Sequence, residues 1–233
     1  MSLPKIAVPT YTLTLPSNGK KINYRPYLVK EQKILLMASV PGATFEDVYN
    51  AIKQIAINCT FGEVDIESIP LFDFEYIFLN IRAKSVGEII TPSIKCDKCD
   101  KDVQVTINLG DIKVTKLTDR TIKLSENIGI VLNYPSFSIS KIEAKPDGSP
   151  DDDYRAIYNC VDYVYEGKQI FTKKDFTYEE FVSSFIEVLS DTAYQKISDF
   201  FINMPRIYLE TEMKCKCGQT KKIEISGIQD FLY

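Results

Sequence analysis

Two cysteine doublets constrain this chain more than any other feature. Cys96-Asp97-Lys98-Cys99 and Cys215-Lys216-Cys217-Gly218 stand far apart, yet each lies between two runs that read as strands. Ile89 to Ile94 precedes the first doublet, and Val103, Val105 and Ile107 alternate after it; Ile207 to Glu212 and Lys222 to Ile225 flank the second. Strand, knuckle, strand is the local geometry of a zinc ribbon, in which each knuckle gives two thiolates to one tetrahedral ion. The fold must then return the C-terminal segment to the middle of the chain. Lys95, Lys98, Lys214 and Lys216 flank or interleave the cysteines and are expected to favour the thiolate form. Four cysteine ligands, Cys96, Cys99, Cys215 and Cys217, leave no open coordination position, so the zinc would be structural. The second knuckle departs from the pattern, being C-x-C rather than C-x-x-C. Three other readings stay open. A redox pair should open a helix, whereas Lys101 to Val105 reads as extended. A disulfide requires an oxidising compartment. Unligated core cysteine suits Cys59 and Cys160 but not doublets set among lysine and aspartate.

The chain has 233 residues and no histidine. That excludes Ser-His-Asp and Cys-His catalysis, histidine general bases and every mixed Cys/His metal site. There is no G-x-x-x-x-G-K-[ST], no G-x-G-x-x-G and no nucleophile elbow. Carboxylates are numerous but scattered, so a carboxylate enzyme has no positive support and no small-molecule substrate is expected. An apolar fraction of 45% suits a packed core, and a net charge of -4 gives no global field for nucleic acid or an anionic membrane. No run approaches the roughly 18 apolar residues of a membrane span. Met1 to Pro9 lacks the apolar core of a secretory signal, so the chain is expected to be made and kept in the cytoplasm.

The order of periodicities predicts an α+β fold. Tyr11, Leu13 and Leu15 alternate with threonines, Asn18-Gly19 marks a tight turn, and Ile22 and Tyr24 return, which makes a β-hairpin. Helices are expected over 30–38, with Ile34, Leu35 and Ala38 on one face, from a Thr44 N-cap to Cys59, and over 71–83. The 44–59 helix has its apolar stripe on Phe45, Val48, Tyr49, Ile52, Ile55, Ala56 and Cys59. Short strands follow to about 145, then a loop at Lys145 to Pro150, then the Asp151-Asp152-Asp153 run opening a helix to about 162. Thr177 to Glu180 fits a capping box, and a further helix carries Ala193, Ile197, Phe200 and Phe201 before Pro205 stops it. The expected organisation is an N-terminal hairpin with helices over 1–90, a zinc-ribbon-like pair of β-hairpins from 91–113 with 206–233, and an inserted mixed α/β segment over 114–205. The whole can also pack as one compact unit.

Lys214, Lys216, Lys221 and Lys222 form a small basic patch without interleaved aromatics, so nucleic-acid binding is not expected. Phe231, Leu232 and Tyr233 close the sequence with three large apolar side chains, where polar residues usually stand. They either dock on the chain's own core or insert in a partner.

Several blocks together resemble the family of T4-like phage baseplate hub proteins, those of the tail-hub assembly subunit. They are Pro9-Thr10-Tyr11, Leu15 to Lys20, Tyr24-Arg25-Pro26, Leu28 to Glu31 and Ile81 to Glu88. Cys96-x-x-Cys99, Asn133-Tyr134-Pro135, Cys215-x-Cys217-Gly218 and Gly227 to Phe231 fit the same pattern. The resemblance implies a non-enzymatic protein of a contractile tail, acting by contact with other baseplate and tail hub proteins. It would be found in the virion and, during assembly, in the host cytoplasm. A hub assembly chaperone not retained in the particle is one alternative. A zinc-ribbon regulator associated with nucleic acid or a polymerase is another.

Overall fold

The computed structural model describes residues 4, 6–38, 40, 42–136 and 150–228. The fold is α+β, with small antiparallel sheets and helices that divide between two compact units. The first unit holds residues up to Thr115 and from Arg206 onward, and the second runs from Lys116 to Pro205. Among the described residues no helix is long and apolar enough to cross a membrane.

The first unit opens with the hairpin β1 (Tyr11–Thr14) and β2 (Lys21–Tyr24), in register from Tyr11 opposite Tyr24 to Thr14 opposite Lys21. Gly19 takes φ 71 in the turn between them, a conformation that glycine adopts without a Cβ penalty. Leu13, Leu15, Ile22 and Tyr24 are buried. Helices α1 (Val29–Ala38), α2 (Phe45–Cys59) and α3 (Leu71–Val86) follow. Thr44 caps α2 through a full capping box with Asp47, and Ile52, Ile55, Ala56 and Cys59 form its buried stripe. The side chain of Phe45 lies outside the described residues. Burial pushes the Cys59 thiol up to about 11, as befits a core cysteine.

Two helices depart from their sequence reading. In α1 the only buried residue is Glu31; Ile34, Leu35 and Ala38 are half-buried, and Leu36 and Met37 are exposed. Glu31 displaces the apolar face because it accepts Arg25 Nη2 at 2.9 Å and the Leu28 N–H at 2.9 Å. Helix α3 runs past Ala83 to Val86 and is buried on most of its circumference, acidic Asp73 and Glu75 included.

A long hairpin continues the unit: β3 (Ile89–Ile90) pairs with β6 (Ile107–Asn108), and β4 (Ser93–Lys95) pairs with β5 (Asp102–Gln104). Pro92 has no N–H to give the ladder and separates β3 from β4, while its carbonyl still accepts the Val105 N–H at 3.0 Å. The last sheet has β12 (Ile207–Lys214) between β13 (Thr220–Ser226) and β7 (Lys113–Val114). Where the chain leaves and re-enters this unit, the Thr115 N–H donates to the Arg206 carbonyl at 3.0 Å and the Arg206 N–H to Thr115 Oγ1 at 3.0 Å.

The second unit is a four-stranded antiparallel sheet in the order β11 (Gln169–Thr172), β10 (Val161–Glu166), β9 (Ile128–Leu132) and β8 (Thr121–Lys123). Helices α4 (Pro150–Cys160), α5 (Tyr178–Phe181) and α6 (Asp191–Ile202) complete it. Its core gathers Ile130, Leu132, Ile157, Cys160, Ile197 and Phe200. The Asp151 to Asp153 run opens α4, at the helix end that favours negative charge. This helix stops at Cys160, two residues short of its expected end, because Val161 already pairs with Leu132. The β10–β11 hairpin is a feature the sequence reading does not contain; its signal was Glu166-Gly167-Lys168 between aromatic and β-branched runs. Thr177 does cap α5 through a box with Glu180, but the helix passes at once into a π-helical turn over Val182–Ile186. The Lys145 to Ser149 part of the expected loop lies outside the described residues.

Candidate metal centre

Each cysteine doublet occupies the tip of a hairpin. In the first, the Cys96 N–H donates to the Lys101 carbonyl at 2.9 Å and the Asp100 N–H to the Cys96 carbonyl at 2.8 Å, closing a tight turn beyond β4. In the second, the Cys215 N–H donates to Gln219 at 2.8 Å and the Gly218 N–H to Cys215 at 3.0 Å, beyond β12. One device is common to both. The residue after the second cysteine is left-handed: Asp100 at φ 54 and Gly218 at φ 85. Asparagine, aspartate and glycine are the residues that tolerate this region. The shorter C-x-C spacing therefore still ends in the same chain reversal as C-x-x-C.

These turns bring all four sequence-nominated sulfurs together. Cys96 Sγ lies 3.7 Å from Cys217 Sγ, and Cys99 Sγ lies 3.6 Å from Cys215 Sγ, so every close pair bridges the two hairpins. All four atoms fall within 4.8 Å of one another. A disulfide needs about 2.05 Å, and the cysteines are free. The arrangement is compatible with a zinc-ribbon-like site, and the four side chains could hold one metal ion. Cys96 is buried, Cys99 and Cys215 are half-buried, and Cys217 is exposed.

Backbone amides do the electrostatic work expected of lysines. The N–H of Lys98, then that of Cys99, is directed at the Cys96 sulfur and holds its thiol down to about 7. The N–H of Cys217 likewise favours a Cys215 thiolate, but the sulfurs of Cys217, Cys99 and Cys96 crowd it and the net direction is upward. Thiolates packed this closely repel one another, and a cation between them would relieve the repulsion. Two of the four flanking lysines are paired with carboxylates. Lys95 lies 3.9 Å from Asp100, and Lys214 lies 2.9 Å from Glu212. Lys221 pairs with Asp97, an ion pair that ties one knuckle to the other hairpin.

Phe231, Leu232 and Tyr233 lie outside the described residues. The approach to them is visible: the Ile228 N–H donates to Glu75 Oε1 at 3.2 Å, inside the core. Glu75 also lies 3.5 Å from the Tyr49 hydroxyl, and burial pushes its carboxyl up to about 7. Neither Glu75 nor Asp73, which accepts the Ser17 N–H at 3.1 Å and Ser17 Oγ at 2.5 Å, was singled out from the sequence. Their only signal there was two acids interrupting an apolar helix.

A family model described as T4 bacteriophage base plate protein matches residues 8–233. No curated protein and no solved structure matches the chain.

Proposed function

We propose, from the premise that the chain belongs to the family of T4 bacteriophage base plate proteins, that it serves the central hub of the baseplate as a rigid binding scaffold clamped by zinc. Its role is structural and belongs to the phage tail, among other tail and baseplate proteins. The hub as its location, zinc as its metal and contact rather than chemistry as its activity are our reading.

The observation that carries this reading is the convergence of Cys96, Cys99, Cys215 and Cys217 from two hairpin tips. Zn–S bonds of about 2.3 Å at tetrahedral angles separate sulfurs by about 3.8 Å, and the close pairs stand at 3.6 and 3.7 Å. A sulfur-only donor set favours zinc among the common divalent ions. The shell leaves no position for substrate, which supports a structural ion. Two of the four lysines of the basic patch, Lys214 and Lys221, are paired with Glu212 and Asp97, and the patch has no interleaved aromatic, which weighs against a nucleic-acid surface. The apolar tail, Phe231 to Tyr233, supplies one contact for a hub neighbour, whether the chain stays in the virion or acts as an assembly chaperone in the host cytoplasm.

Elemental analysis of the purified full chain, together with co-sedimentation on assembling tails, tests the reading. One zinc per chain is expected, lost when Cys99 and Cys215 are both changed to serine, and the variant should fail to enter hub complexes. Metal-free native protein, or undiminished hub assembly by the variant, overturns it.

A further inference from the structure

The second unit contains a cleft of about 410 Å³ that lies outside the metal centre and that the assembly reading does not use. That volume is within the range of ligand sites, roughly 300 to 1,000 Å³. One wall is the sheet, through Ile128, Val164 and Phe171; the other is α5 with the π-helical turn, through Phe181, Ser184 and Phe185. Three rings line up along it. Phe176 stacks on Phe181 with centroids 5.7 Å apart, and Phe181 stacks on Phe185 at 5.5 Å. A π-helical turn carries one more residue per turn than its α neighbour and often marks a functional site. Here it contributes both Ser184 and Phe185 to the cleft.

Three carboxylates complete the lining: Glu166, Asp175 and Glu180, with no lysine or arginine among the described lining residues. Two of them are held in place. Asp175 Oδ2 accepts the Thr172 N–H at 2.7 Å and Thr172 Oγ1 at 2.8 Å, and Glu180 Oε2 accepts the Thr177 N–H at 2.8 Å. The second oxygen of each carboxylate can accept a further donor. Glu166 stands exposed at the end of β10. Lys173 is close in sequence but committed elsewhere: its ammonium donates to the Asn159 carbonyl at 2.6 Å and lies over the Tyr158 ring.

We propose that this cleft binds an arginine side chain presented by a neighbouring protein of the tail. Phe181 is buried between the other two rings, and the half-buried outer rings, Phe176 and Phe185, are the ones able to attract a planar cation. A guanidinium also offers five donors in a fork suited to several carboxylates. All three carboxylates are exposed at the rim, where a cation is attracted and a phosphate is repelled. That the arginine comes from a tail protein rests on the assembly reading above; that the cleft takes a guanidinium rests on its own lining.

Amide resonances of the full chain, followed during titration with the capped peptide acetyl-Gly-Arg-Gly-amide, test the site. Signals of Ile128, Ser184 and Phe185 should move, and the isosteric neutral peptide with citrulline should bind at least tenfold more weakly. Glu166→Gln, on an exposed position, should keep the native spectrum and weaken the arginine peptide roughly three- to tenfold. No movement at those residues, equal binding of the citrulline peptide, or no effect of Glu166→Gln overturns the cleft. Tail incorporation separates the two readings. If native chain enters tails and Glu166→Gln enters equally well, the partner assignment falls while the assembly reading stands. If native chain binds the arginine peptide but joins no tail complex, the assembly reading falls, and the tail source with it.

Discussion

Glu75 illustrates what a single buried carboxyl does to this fold. It is 8% exposed, and its ordinary value of 4.5 moves up to about 7 because burial outweighs the donors from Ile228 and Tyr49. The folded state therefore holds this proton more tightly than the unfolded chain. Its contribution is fully present below about pH 4.5 and is lost as pH rises through about 7, a change of about 3 kcal/mol. Glu75→Gln keeps an oxygen for the Ile228 N–H and removes the titration. Denaturant midpoints measured from pH 5 to 8 should show the variant gaining on the native chain as pH rises. Glu31 is the opposite case. Burial works against its charge, but the Arg25 guanidinium and the Leu28 N–H outweigh it and hold its carboxyl below the ordinary range. Glu31→Ala leaves Arg25, itself 9% exposed, as a buried cation without its partner. The expected loss is about 3 to 5 kcal/mol in urea unfolding. Arg25 and Glu31 belong to the N-terminal blocks that carried the family resemblance, and this pair gives those blocks a physical purpose.

Among the elements, α3 is the axle of the first unit. Asp73 on it receives the β1–β2 turn through Ser17, Ser85 accepts the Tyr27 N–H at 2.8 Å, and Glu75 receives Ile228 from the far end of the chain. Local signals of this molecule were legible: Asn18-Gly19 at a turn, Thr44 and Thr177 as caps, and Pro205 after a helix each act within a few residues. Thr44→Ala should cost about 1 kcal/mol, seen as a lower midpoint in thermal or urea unfolding, because it removes the hydroxyl that accepts the Asp47 N–H. The less legible features depend on distance. Glu31 looks like a solvated helical residue until Arg25 meets it, and the acids of α3 look misplaced until Ser17 and Ile228 arrive. Strand β10 follows α4 without a loop, so no turn residue announced the change of period. The π-helical turn has no local marker either, since its sequence continues the α5 stripe.

At the scale of the molecule, two long-range closures stand out, and the first is the meeting of the cysteine doublets. The candidate site was readable from residue type and pattern: with no histidine, an all-sulfur site could be completed by the two cysteine doublets on matching hairpins. The amide donors to Cys96 were not, because backbone direction is a product of the folded turn. Joining residues about 100 positions apart removes roughly 4.7 kcal/mol of loop freedom in the chain-entropy model, and a metal joint acts in the same direction. Treatment with a strong chelator should therefore lower the unfolding midpoint of the full chain, and added zinc should restore it. A midpoint insensitive to chelator would remove the clamp. The other closure is the Thr115–Arg206 pair, hydrogen-bonded where the chain departs from the first unit and rejoins it. Whatever is spliced between those two residues begins and finishes at a single point. The intervening stretch is thus a cassette, open to enlargement, trimming or exchange without rerouting the host strands.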